Sequence, residues 1–526
     1  MKSKEKYNNG ITLIALIITI VILLILAGIA IAALTGENGL FTRAQQAKDK
    51  TIEAQKNEEA TISEYMDEMD KYITDYAEGK WNSDKKVNSP KLMEGMIGVY
   101  WDENGNEIEV TSENSDNWYN YDKQKWANAK TKDGSYWVWI PRYAYQIENG
   151  CYTNTAGKIS VKFLQGTSNK DSEGKEISTK YPTVTGGKMA DYVVHPSFTN
   201  GKANNYMNGE WDKELTGYWV AKYAAGYQEC TQTIAQNGTI TEPTTNTSNI
   251  KYSDKKYTYN SYSSNAISQN PSSLPQMSYP VFKPLTYAYN CITTGDVYTL
   301  TQEISKAKEF YGLNSKQTDS HQMKNSEWGA VAYLTQSKYG RDGTEVTINS
   351  KNLNNLNSKN IYAVTGYANS TANDNSASTT NNKTGIFDLS GCVWEYTAAY
   401  VSNGDSNIDL YGKSYASTEI NPNGYKTLST KYATVYPYDS SNLGTTYNNL
   451  KSETYGFGDA ILETSNRSNT SNSWNSDYSI FPCSANSFFI RGGDYGSSSK
   501  AGTFAFGSND GNISSYCGFR SVLVAL

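Results

Sequence analysis

Histidine and charged residues are scarce in this sequence, and each scarcity excludes a class of protein. The chain has two histidines, His195 and His321, among 526 residues. A three-histidine metal site is therefore impossible within one chain, and a Ser-His-Asp or Cys-His arrangement would have to use one of these two side chains. Charged residues are 19% of the chain and the formal net charge is −6. This balance excludes a basic nucleic-acid-binding surface and a highly charged disordered chain.

Tyrosine, glycine and tryptophan are abundant, with 43, 41 and 11 residues. This polar and aromatic composition is typical of β-rich, loop-rich extracellular domains. At roughly 100 to 200 residues per domain, the length predicts three or four structural units and is ample for a sizeable core.

One uncharged apolar run differs from this composition. Residues 11–34 are 24 residues without a charge. As a helix this run would be roughly 36 Å long at about 1.5 Å per residue, enough to cross a hydrocarbon core of about 30 Å. The preceding Lys2, Lys4 and Lys6 predict a cytoplasmic N-terminus and a single pass through the cell membrane, with the C-terminal domain outside. A plain signal anchor and a signal peptide are the alternatives, although the apolar core of a signal peptide is shorter, about 7 to 15 residues.

The residues around Gly10 resemble the start of a type IV pilin. Gly10 ends the basic leader directly before the apolar run ITLIALIITIVILLILAGIAIAAL. The resemblance implies that a prepilin peptidase cuts between Gly10 and Ile11, and that the helix then packs with other pilin subunits in a filament. The chain departs from the family pattern at Ala15, where most pilins carry glutamate. That departure is a feature of minor pilins that cap a filament, so tip placement is an expectation.

Local patterns predict helices and strands along the rest of the chain. Residues 43–77 contain no Gly or Pro and are rich in Ala, Glu, Lys and Gln, which predicts a helical extension beyond a kink or break at Gly36 and Gly39. Residues 80–90 are expected to be a polar linker. Strands are expected at Tyr136–Tyr143, Gly217–Tyr223, Ile386–Leu389 and Phe488–Gly492, and helices at Thr301–Tyr311 and at Asn325–Ser337, where Asn325 or Ser326 would be the N-cap.

The C-terminal half resembles the formylglycine-generating-enzyme family in four segments. They are NSEWGAVAYL (325–334), TGIFDLSGCVWEY (384–396), FIRGGDYG (489–496) and GFRSVL (518–523), in the order that the family has them. The resemblance covers about residues 131–526 and implies a C-type-lectin-like fold, an irregular α+β domain with much coil. The predicted fold class is therefore α+β, with a long N-terminal pilin-like helix followed by this lectin-like domain and its long surface loops.

The predicted organisation has five parts. Polar low-complexity stretches within the C-type-lectin-like domain are expected to be surface loops rather than separate domains. The parts are a prepilin-like leader at 1–10, a transmembrane or filament-core helix at 11–35, a helical extension at 36–78, a linker and the start of the extracellular region at 79–130, and the C-type-lectin-like domain at 131–526.

The catalytic ligands of that family are missing from the matching positions. Its aerobic enzymes bind copper through two cysteines shortly after the Arg-Gly-Gly segment, because two soft thiolates hold the monovalent ion. Here the segment at 491–493 is followed by no cysteine until Cys517, and the iron-dependent branch requires three histidines. We therefore predict that the protein is not an enzyme and requires no cofactor. The alternative is a membrane-anchored metal oxidase of the formylglycine-generating type that uses Cys483, Cys517 and Cys392.

The resemblance also implies a structural calcium site. Family members hold calcium at the strand of the second motif through backbone carbonyls and a carboxylate, which here fall on Gly391, Val393 and Glu395. The alternative is that Glu395 satisfies buried backbone groups.

The six cysteines leave two alternatives open. An even number in a chain that faces an oxidising exterior is compatible with disulfides, whereas wide and irregular spacing is compatible with unpaired thiols. The cysteines are Cys151, Cys230, Cys291, Cys392, Cys483 and Cys517.

The last 35 residues mix expected framework positions with positions drawn from few residue types. Every position of the second set is Asn, Asp, Ser, Gly, Tyr or Cys. All of these can be reached from an asparagine codon by replacing adenine at one or both of its first two positions. That pattern resembles the variable region, here about 491–520, of a protein diversified by a retroelement. The alternative is ordinary loop composition, since Gly, Ser, Asn and Asp are common in turns. The expected framework residues are Arg491, Ala501, Gly502, Phe504, Phe506, Gly518, Phe519 and Arg520. The candidate ligand-binding residues are Asp494, Tyr495, Gly496, Ser497, Ser498, Ser499, Gly507, Ser508, Asn509, Asp510, Asn512, Ser514, Ser515, Tyr516 and Cys517.

The pilin-like N-terminal segment and the C-terminal candidate binding positions together predict a function. Tyr, Ser, Gly and Asn on a rigid scaffold are also the chemistry of antibody paratopes, in which Tyr supplies contact area and the small polar residues adapt their hydrogen bonds. We expect a surface-displayed, pilus- or pseudopilus-associated adhesin whose lectin-like head binds an extracellular protein or glycan, with no nucleic-acid partner. A structural minor pilin without an external ligand is a further alternative. The leading contacts are expected at Asp494, Tyr495, Asn509, Asp510, Asn512 and Tyr516, with Trp394 and Phe519 in the core.

Overall fold

The chain folds as two compact units, one within residues 1–75 and one at Tyr76–Leu526. We call them the helical unit and the head unit. The predicted leader at 1–10 lies outside the residues that the structure describes, apart from Gly10. The computed structural model describes residues 10–35, 39–73, 76–200, 211–231, 233–234, 240–241, 250–252, 255–257, 279–290, 292–354, 361–412, 415–416, 431–436, 456–466, 472–482 and 485–526.

The helical unit contains helix α1 (Gly10–Thr35) and helix α2 (Leu40–Ile73). Within α1, Ala15–Thr35 is long and apolar enough to cross a membrane, and it is the one such helix among the described residues. The predicted apolar helix is therefore confirmed. The hydroxyls of Thr19 and Thr35 donate to carbonyls one turn earlier, both at 2.7 Å, so these polar groups have partners within the helix. The two helices lie on either side of the predicted break at Gly36 and Gly39, although Gly36 lies outside the described residues.

The head unit is mostly sheet, so the chain as a whole is α+β, as predicted. Its α-helices among the described residues are α3 (Thr294–Glu303), α4 (Lys308–Tyr311), α5 (Asn325–Gln336) and α6 (Ser406–Tyr411). Its strands, in the same part of the chain, are β1 (Trp81–Asn82), β2 (Val87–Asn88), β3 (Met96–Trp101), β4 (Glu107–Glu109), β5 (Asn128–Thr131), β6 (Tyr136–Pro141), β7 (Tyr143–Ile147), β8 (Ile159–Phe163), β9 (Val184–Thr185), β10 (Lys188–Met189), β11 (Val193–Val194), β12 (Gly217–Ala221), β13 (Gly226–Thr231), β14 (Thr233–Ile234), β15 (Ile240–Thr241), β16 (Ile250–Tyr252), β17 (Lys255–Tyr257), β18 (Thr286–Ala288), β19 (Thr318–Gln322), β20 (Asn352–Asn354), β21 (Ile361–Ala363), β22 (Tyr367–Ala368), β23 (Thr371–Ala372), β24 (Trp394–Val401), β25 (Thr434–Tyr436), β26 (Phe488–Arg491), β27 (Phe506–Asn509), β28 (Cys517–Phe519) and β29 (Ser521–Ala525).

Two sheets organise the head unit. The larger has seven antiparallel strands in the order β19-β29-β12-β6-β5-β3-β4. The second has the order β25-β24-β26-β27. Along one edge of β24, β28 pairs in parallel with its first half and β25 in parallel with its second half, while β26 pairs antiparallel along the other edge. Chain segments far apart in sequence therefore meet at β24.

Aromatic side chains fill the core of the head unit. Strand β6 (YWVWIP) is buried at all positions after Tyr136, so it lies in the middle of its sheet with both faces covered. Strand β8 instead alternates buried and half-buried residues, as expected of a strand with one covered face. Seven tryptophans are almost fully buried: Trp118, Trp126, Trp137, Trp139, Trp219, Trp328 and Trp474.

The head unit begins earlier in the chain than predicted. Strands β3, β4 and β5 belong to the seven-stranded sheet, and the compact unit starts at Tyr76 rather than at 131. The predicted polar linker at 80–90 contributes β1 and β2, and the fully buried Asn88 donates to the carbonyls of Gly166 and Thr216, both at 3.0 Å. The Asn88 side chain thus provides hydrogen-bond donors to buried backbone carbonyls, a role that the polarity of this segment did not indicate.

Several predicted elements are confirmed and others are corrected. Strands β6, β12 and β26 and helix α5 match the predictions, although Lys324 is the N-cap of α5 and every residue of the helix is buried. The helix predicted at 301–311 is two helices, α3 and α4, because the backbone at Ala307 leaves the helical region (φ −83°, ψ 61°). The strand predicted at 386–389 is wrong, since Asp388 has a left-handed backbone (φ 63°).

Candidate ligand-binding face

The fifteen candidate binding positions, which we call the variable face, come from two chain segments that the second sheet brings together. Residues 494–499 lie in the connection between β26 and β27. Residues 507–509 lie in β27, and residues 510–517 lead into β28. In β27, Gly507, Ser508 and Asn509 pair with Ile490, Phe489 and Phe488 of β26. Cys517 pairs with Trp394 on β24. The backbone ladders therefore place both segments around β24 and β26.

The structure separates expected framework residues from candidate binding residues by burial. All eight framework residues named above, from Arg491 to Arg520, are buried. Of the fifteen candidate residues, twelve are exposed or half-buried, and the most accessible are Gly496, Ser498, Ser499 and Tyr516. Three candidates are corrections, because Asp494, Gly507 and Cys517 are buried. Gly507 and Cys517 lie within sheet strands, where neighbouring side chains cover them.

Aromatic residues form the centre of the variable face. The rings of Tyr495 and Tyr516, one from each segment, stack with centroids 6.0 Å apart and planes at 26°. Trp394 packs on Tyr396, Ile490 and Cys517. Trp394 is half-buried rather than in the core, because it lies at the start of β24, so the core prediction for this residue is wrong.

The two loops of the face are held by their own side chains. The Asp494 carboxylate accepts from the Gly496 backbone N–H at 3.0 Å and from the Ser497 hydroxyl at 2.7 Å. The Asp510 carboxylate accepts from the Asn512 N–H at 3.0 Å. These are the local side-chain to backbone bonds that fix turns.

A buried tyrosine joins the sheet to the second loop. The Tyr396 hydroxyl lies 2.6 Å from Asn509 Oδ1 and 2.6 Å from the Asn512 carbonyl oxygen. Asn509 Oδ1 also accepts from the Gly511 N–H at 2.9 Å. The side chain of Asn509 is thus engaged with the scaffold, although the residue was expected to contact a ligand.

Arg520 and Glu395 form a buried ion pair directly beneath the variable face. Nε and Nη2 of Arg520 donate to the two carboxylate oxygens of Glu395 at 3.0 and 2.6 Å, with both side chains almost fully buried. Arg520 also donates to the carbonyls of Ala221 and Phe387 at 2.7 and 2.8 Å. Burial raises the pKa of Glu395 to about 7, while the guanidinium opposes that rise. The pair fixes the junction between β28 and β29 to β24.

This pairing bears on the predicted calcium ligands Gly391, Val393 and Glu395. Both oxygens of the Glu395 carboxylate are bonded to Arg520, so the carboxylate has a guanidinium partner rather than the buried backbone groups of the alternative. Groups of three or more acidic, histidine or cysteine side chains that would hold a metal are absent from the described part of the chain. The calcium site stays a prediction.

Arg491 has the same scaffold role at the other segment. It is fully buried, and its guanidinium donates to the carbonyls of Ala505, Asp459 and Ala460 at 2.9 to 3.1 Å. The expectation that Arg491 and Arg520 are scaffold residues agrees with these contacts.

The two histidines have opposite environments. His195 is buried without an acidic partner, and burial lowers its pKa to about 3. His321 on β19 is also buried, which lowers its pKa, but Glu327 and Asp319 raise the pKa to about 9. Its Nδ1 lies 2.8 Å from Asp319 and its Nε2 lies 2.9 Å from Glu327. The Ser521 hydroxyl donates to the His321 carbonyl at 2.9 Å, so this charged network supports the strand that follows the variable face.

Cys517 should be unreactive in the folded protein. Its side chain is 2% exposed. Burial raises its pKa to about 12 against the lowering by hydrogen bonds with Ser514 and Tyr396, and Asp494 and Asp510 add smaller raising contributions. Because the thiolate is the nucleophile, we expect no iodoacetamide adduct on Cys517 at pH 8, and full modification after unfolding in urea. Peptide mapping by mass spectrometry measures both. Rapid labelling of Cys517 in the native protein would contradict this and favour the metal-oxidase alternative.

Two described cysteines, Cys392 and Cys517, are buried and carry free thiols. This agrees with the alternative of unpaired thiols for these two residues. Cys151 is also buried, and its Sγ lies 3.8 Å from the Tyr181 hydroxyl. Cys291 and Cys483 lie outside the described residues.

Sequence reasoning missed two features of the site. The first is the partnership of Arg520 with Glu395. Both residues belong to recognised motifs, but nothing in those motifs indicates that they pair. The second is the aromatic pair of the half-buried Trp394 and the exposed Tyr478, whose rings lie 5.6 Å apart in an edge-to-face contact. Tyr478 lies outside the last 35 residues, so the codon pattern gave no signal for it.

A scan of protein-family models and a search of curated proteins found no match to this chain. The functional conclusion therefore depends on the residues and geometry of the variable face.

Proposed function

We propose that this chain is a membrane-anchored, pilus- or pseudopilus-associated adhesin whose head unit has a C-type-lectin-like fold. Its head binds an extracellular protein or glycan through the variable face. The observation that carries the proposal is the separation by burial. All eight residues that the codon pattern assigns to the framework are buried, whereas twelve of the fifteen that it assigns to variation reach the surface.

The geometry suits binding rather than chemistry. Main-chain ladders hold β27 and β28 against β26 and β24, so the supporting backbone bonds do not depend on which side chain each variable position carries. Tyr495 and Tyr516 supply aromatic contact area, and the serines and asparagines around them offer adaptable hydrogen bonds. The apolar helix α1 provides attachment to a membrane or to other pilin subunits after cleavage at Gly10 and Ile11 by a prepilin peptidase.

The genomic DNA at the 3′ end of the gene tests the proposal. We expect a near-identical template repeat beside a reverse-transcriptase gene, with mismatches confined to template adenines at the codons for residues 494–499 and 507–517. The codons for residues 501–506 and 518–520, which encode buried residues, are the internal control and should match the template.

Two results would contradict diversification. They are the absence of a repeat, and mismatches spread equally over framework and variable codons. Either result would reduce the C-terminal segment to ordinary loop composition and leave an adhesin of fixed specificity or a structural minor pilin.

A further inference from the structure

We infer that Trp394 and Tyr478 form a fixed aromatic contact within the variable face, and that this contact receives a lysine or arginine side chain of a protein partner. The inference rests on the proposed function, since it assumes that the face binds a partner. It adds two residues that do not vary and the chemistry that they recognise.

Both residues lie between the two variable segments. Trp394 pairs with Cys517, and its backbone N–H donates to the Tyr516 carbonyl at 2.8 Å. The Tyr478 backbone N–H donates to the Lys500 carbonyl, and its carbonyl accepts from Phe506, both at 2.9 Å. A side chain at Gly507 would begin 3.4 Å from the Tyr478 ring. A ligand seated across both segments would therefore meet these two rings.

The two side chains keep surface and polar groups available to a partner. Tyr478 is 37% exposed and Trp394 is half-buried. Neither the Trp394 indole N–H nor the Tyr478 hydroxyl has a hydrogen-bond partner within the described residues. The indole of the core residue Trp328, by contrast, donates to Thr503 at 2.8 Å. Exposed tryptophan and tyrosine are the residues that most often dominate binding energy at protein interfaces.

The charge around the rings selects a cation. Asp494 and Asp510 both act electrostatically on the thiol of Cys517, a residue on which Trp394 packs. Each uses only one carboxylate oxygen within its own loop. Lys500, which directly follows the first variable segment, donates to Asn472 Oδ1 at 2.7 Å. Aromatic faces beside unneutralised carboxylates attract a guanidinium or ammonium group, and this charge complementarity favours a basic protein surface over a neutral glycan.

Peptide binding to the full chain in detergent tests the inference. The probes are fluorescein-labelled hexa-arginine, labelled hexa-glutamate and a labelled hexamer of N-acetylglucosamine, measured by fluorescence anisotropy. We expect hexa-arginine to bind, and Trp394→Leu and Tyr478→Leu each to weaken its binding by roughly threefold to tenfold. Leucine retains apolar packing on Tyr396 and Ile490, and circular dichroism checks the fold. Trp81→Leu, at another half-buried tryptophan, is the matched control and should bind as the wild type does.

The outcomes separate this inference from the proposed function. Failure of hexa-arginine to bind, binding of the sugar hexamer in its place, or unchanged binding by both leucine variants would overturn the inference. If the double variant Asp494→Asn, Asp510→Asn weakens binding while the leucine variants do not, the face binds but the aromatic contact is wrong. If none of these variants differs from the control, the peptide binds elsewhere and the inference fails, while the template repeat still decides the proposed function.

Discussion

Replacing Arg520 with methionine should destabilise the chain by about 3 to 5 kcal/mol at pH 8, because it leaves the buried Glu395 carboxylate without its cation. Arg520 holds both carboxylate oxygens and two backbone carbonyls, so the loss affects the junction that carries β28. Urea unfolding of the full chain in detergent, monitored by tryptophan fluorescence, measures the change in unfolding free energy. Lys500→Met removes an exposed cation and should change the unfolding free energy by less than about 0.5 kcal/mol.

The pH dependence and a double variant sharpen this prediction. Without Arg520 the folded pKa of Glu395 should rise further above about 7, while the unfolded carboxyl keeps its ordinary pKa. Because the folded state of both proteins holds this proton more tightly than the unfolded state does, both should lose stability as pH rises from 5 to 7, and from pH 7 to 8 the loss should be steeper in the variant. Replacing both partners, as in Arg520→Met with Glu395→Leu, should restore most of the lost free energy. A loss below about 1 kcal/mol for Arg520→Met would show that the pair is not the main support of this junction.

The stabilising effect of His321 should disappear between pH 6.5 and 9.5. Its folded pKa of about 9 lies above the ordinary value of 6.5 because Glu327 and Asp319 hold the charged form against the effect of burial. The proton therefore stabilises the fold fully below pH 6.5, and this contribution is lost as pH rises through 9. By linkage its size is on the order of 3 kcal/mol.

The comparison of wild type with His321→Gln isolates this effect. Other groups titrate in both proteins, so the difference between their unfolding free energies should shrink steadily from pH 6.5 to 9.5. His195→Gln is the control: the folded pKa of His195 is about 3, so its difference from wild type should change by less than about 0.5 kcal/mol over this range. A constant difference for His321→Gln would mean that this imidazole is neutral in the folded protein.

Much of the fold could be predicted because its signals are local. The charge-free run that forms α1, the continuous apolar and aromatic run of β6 and the helix α5 each carry their pattern within one segment. The strand expected at 386–389 failed because the carboxylate of Asp388 accepts from Gly366 and Asn349, contacts across the fold that favour an irregular backbone. Local periodicity contains no information about such distant partners.

The candidate site shows the same limit. The pattern of residue types separated most surface positions from buried ones, since the eight expected framework residues are buried and twelve of the fifteen candidates reach the surface. It could not show that Asp494 and Cys517 are covered, or that Trp394 is half-buried, because those facts depend on which strand lies beside β24. Arg520 and Glu395 are 125 residues apart, and no sequence spacing indicates that they pair.

The hydroxyl of Tyr396 tolerates change at its neighbour. It lies 2.6 Å from the Asn509 side chain and also 2.6 Å from the main-chain oxygen of residue 512. If residue 509 is exchanged for serine, glycine or tyrosine, the main-chain oxygen is still there to accept the proton, so no buried donor is stranded. A redundant acceptor of this kind lets position 509 carry different side chains without leaving the Tyr396 hydroxyl unpaired.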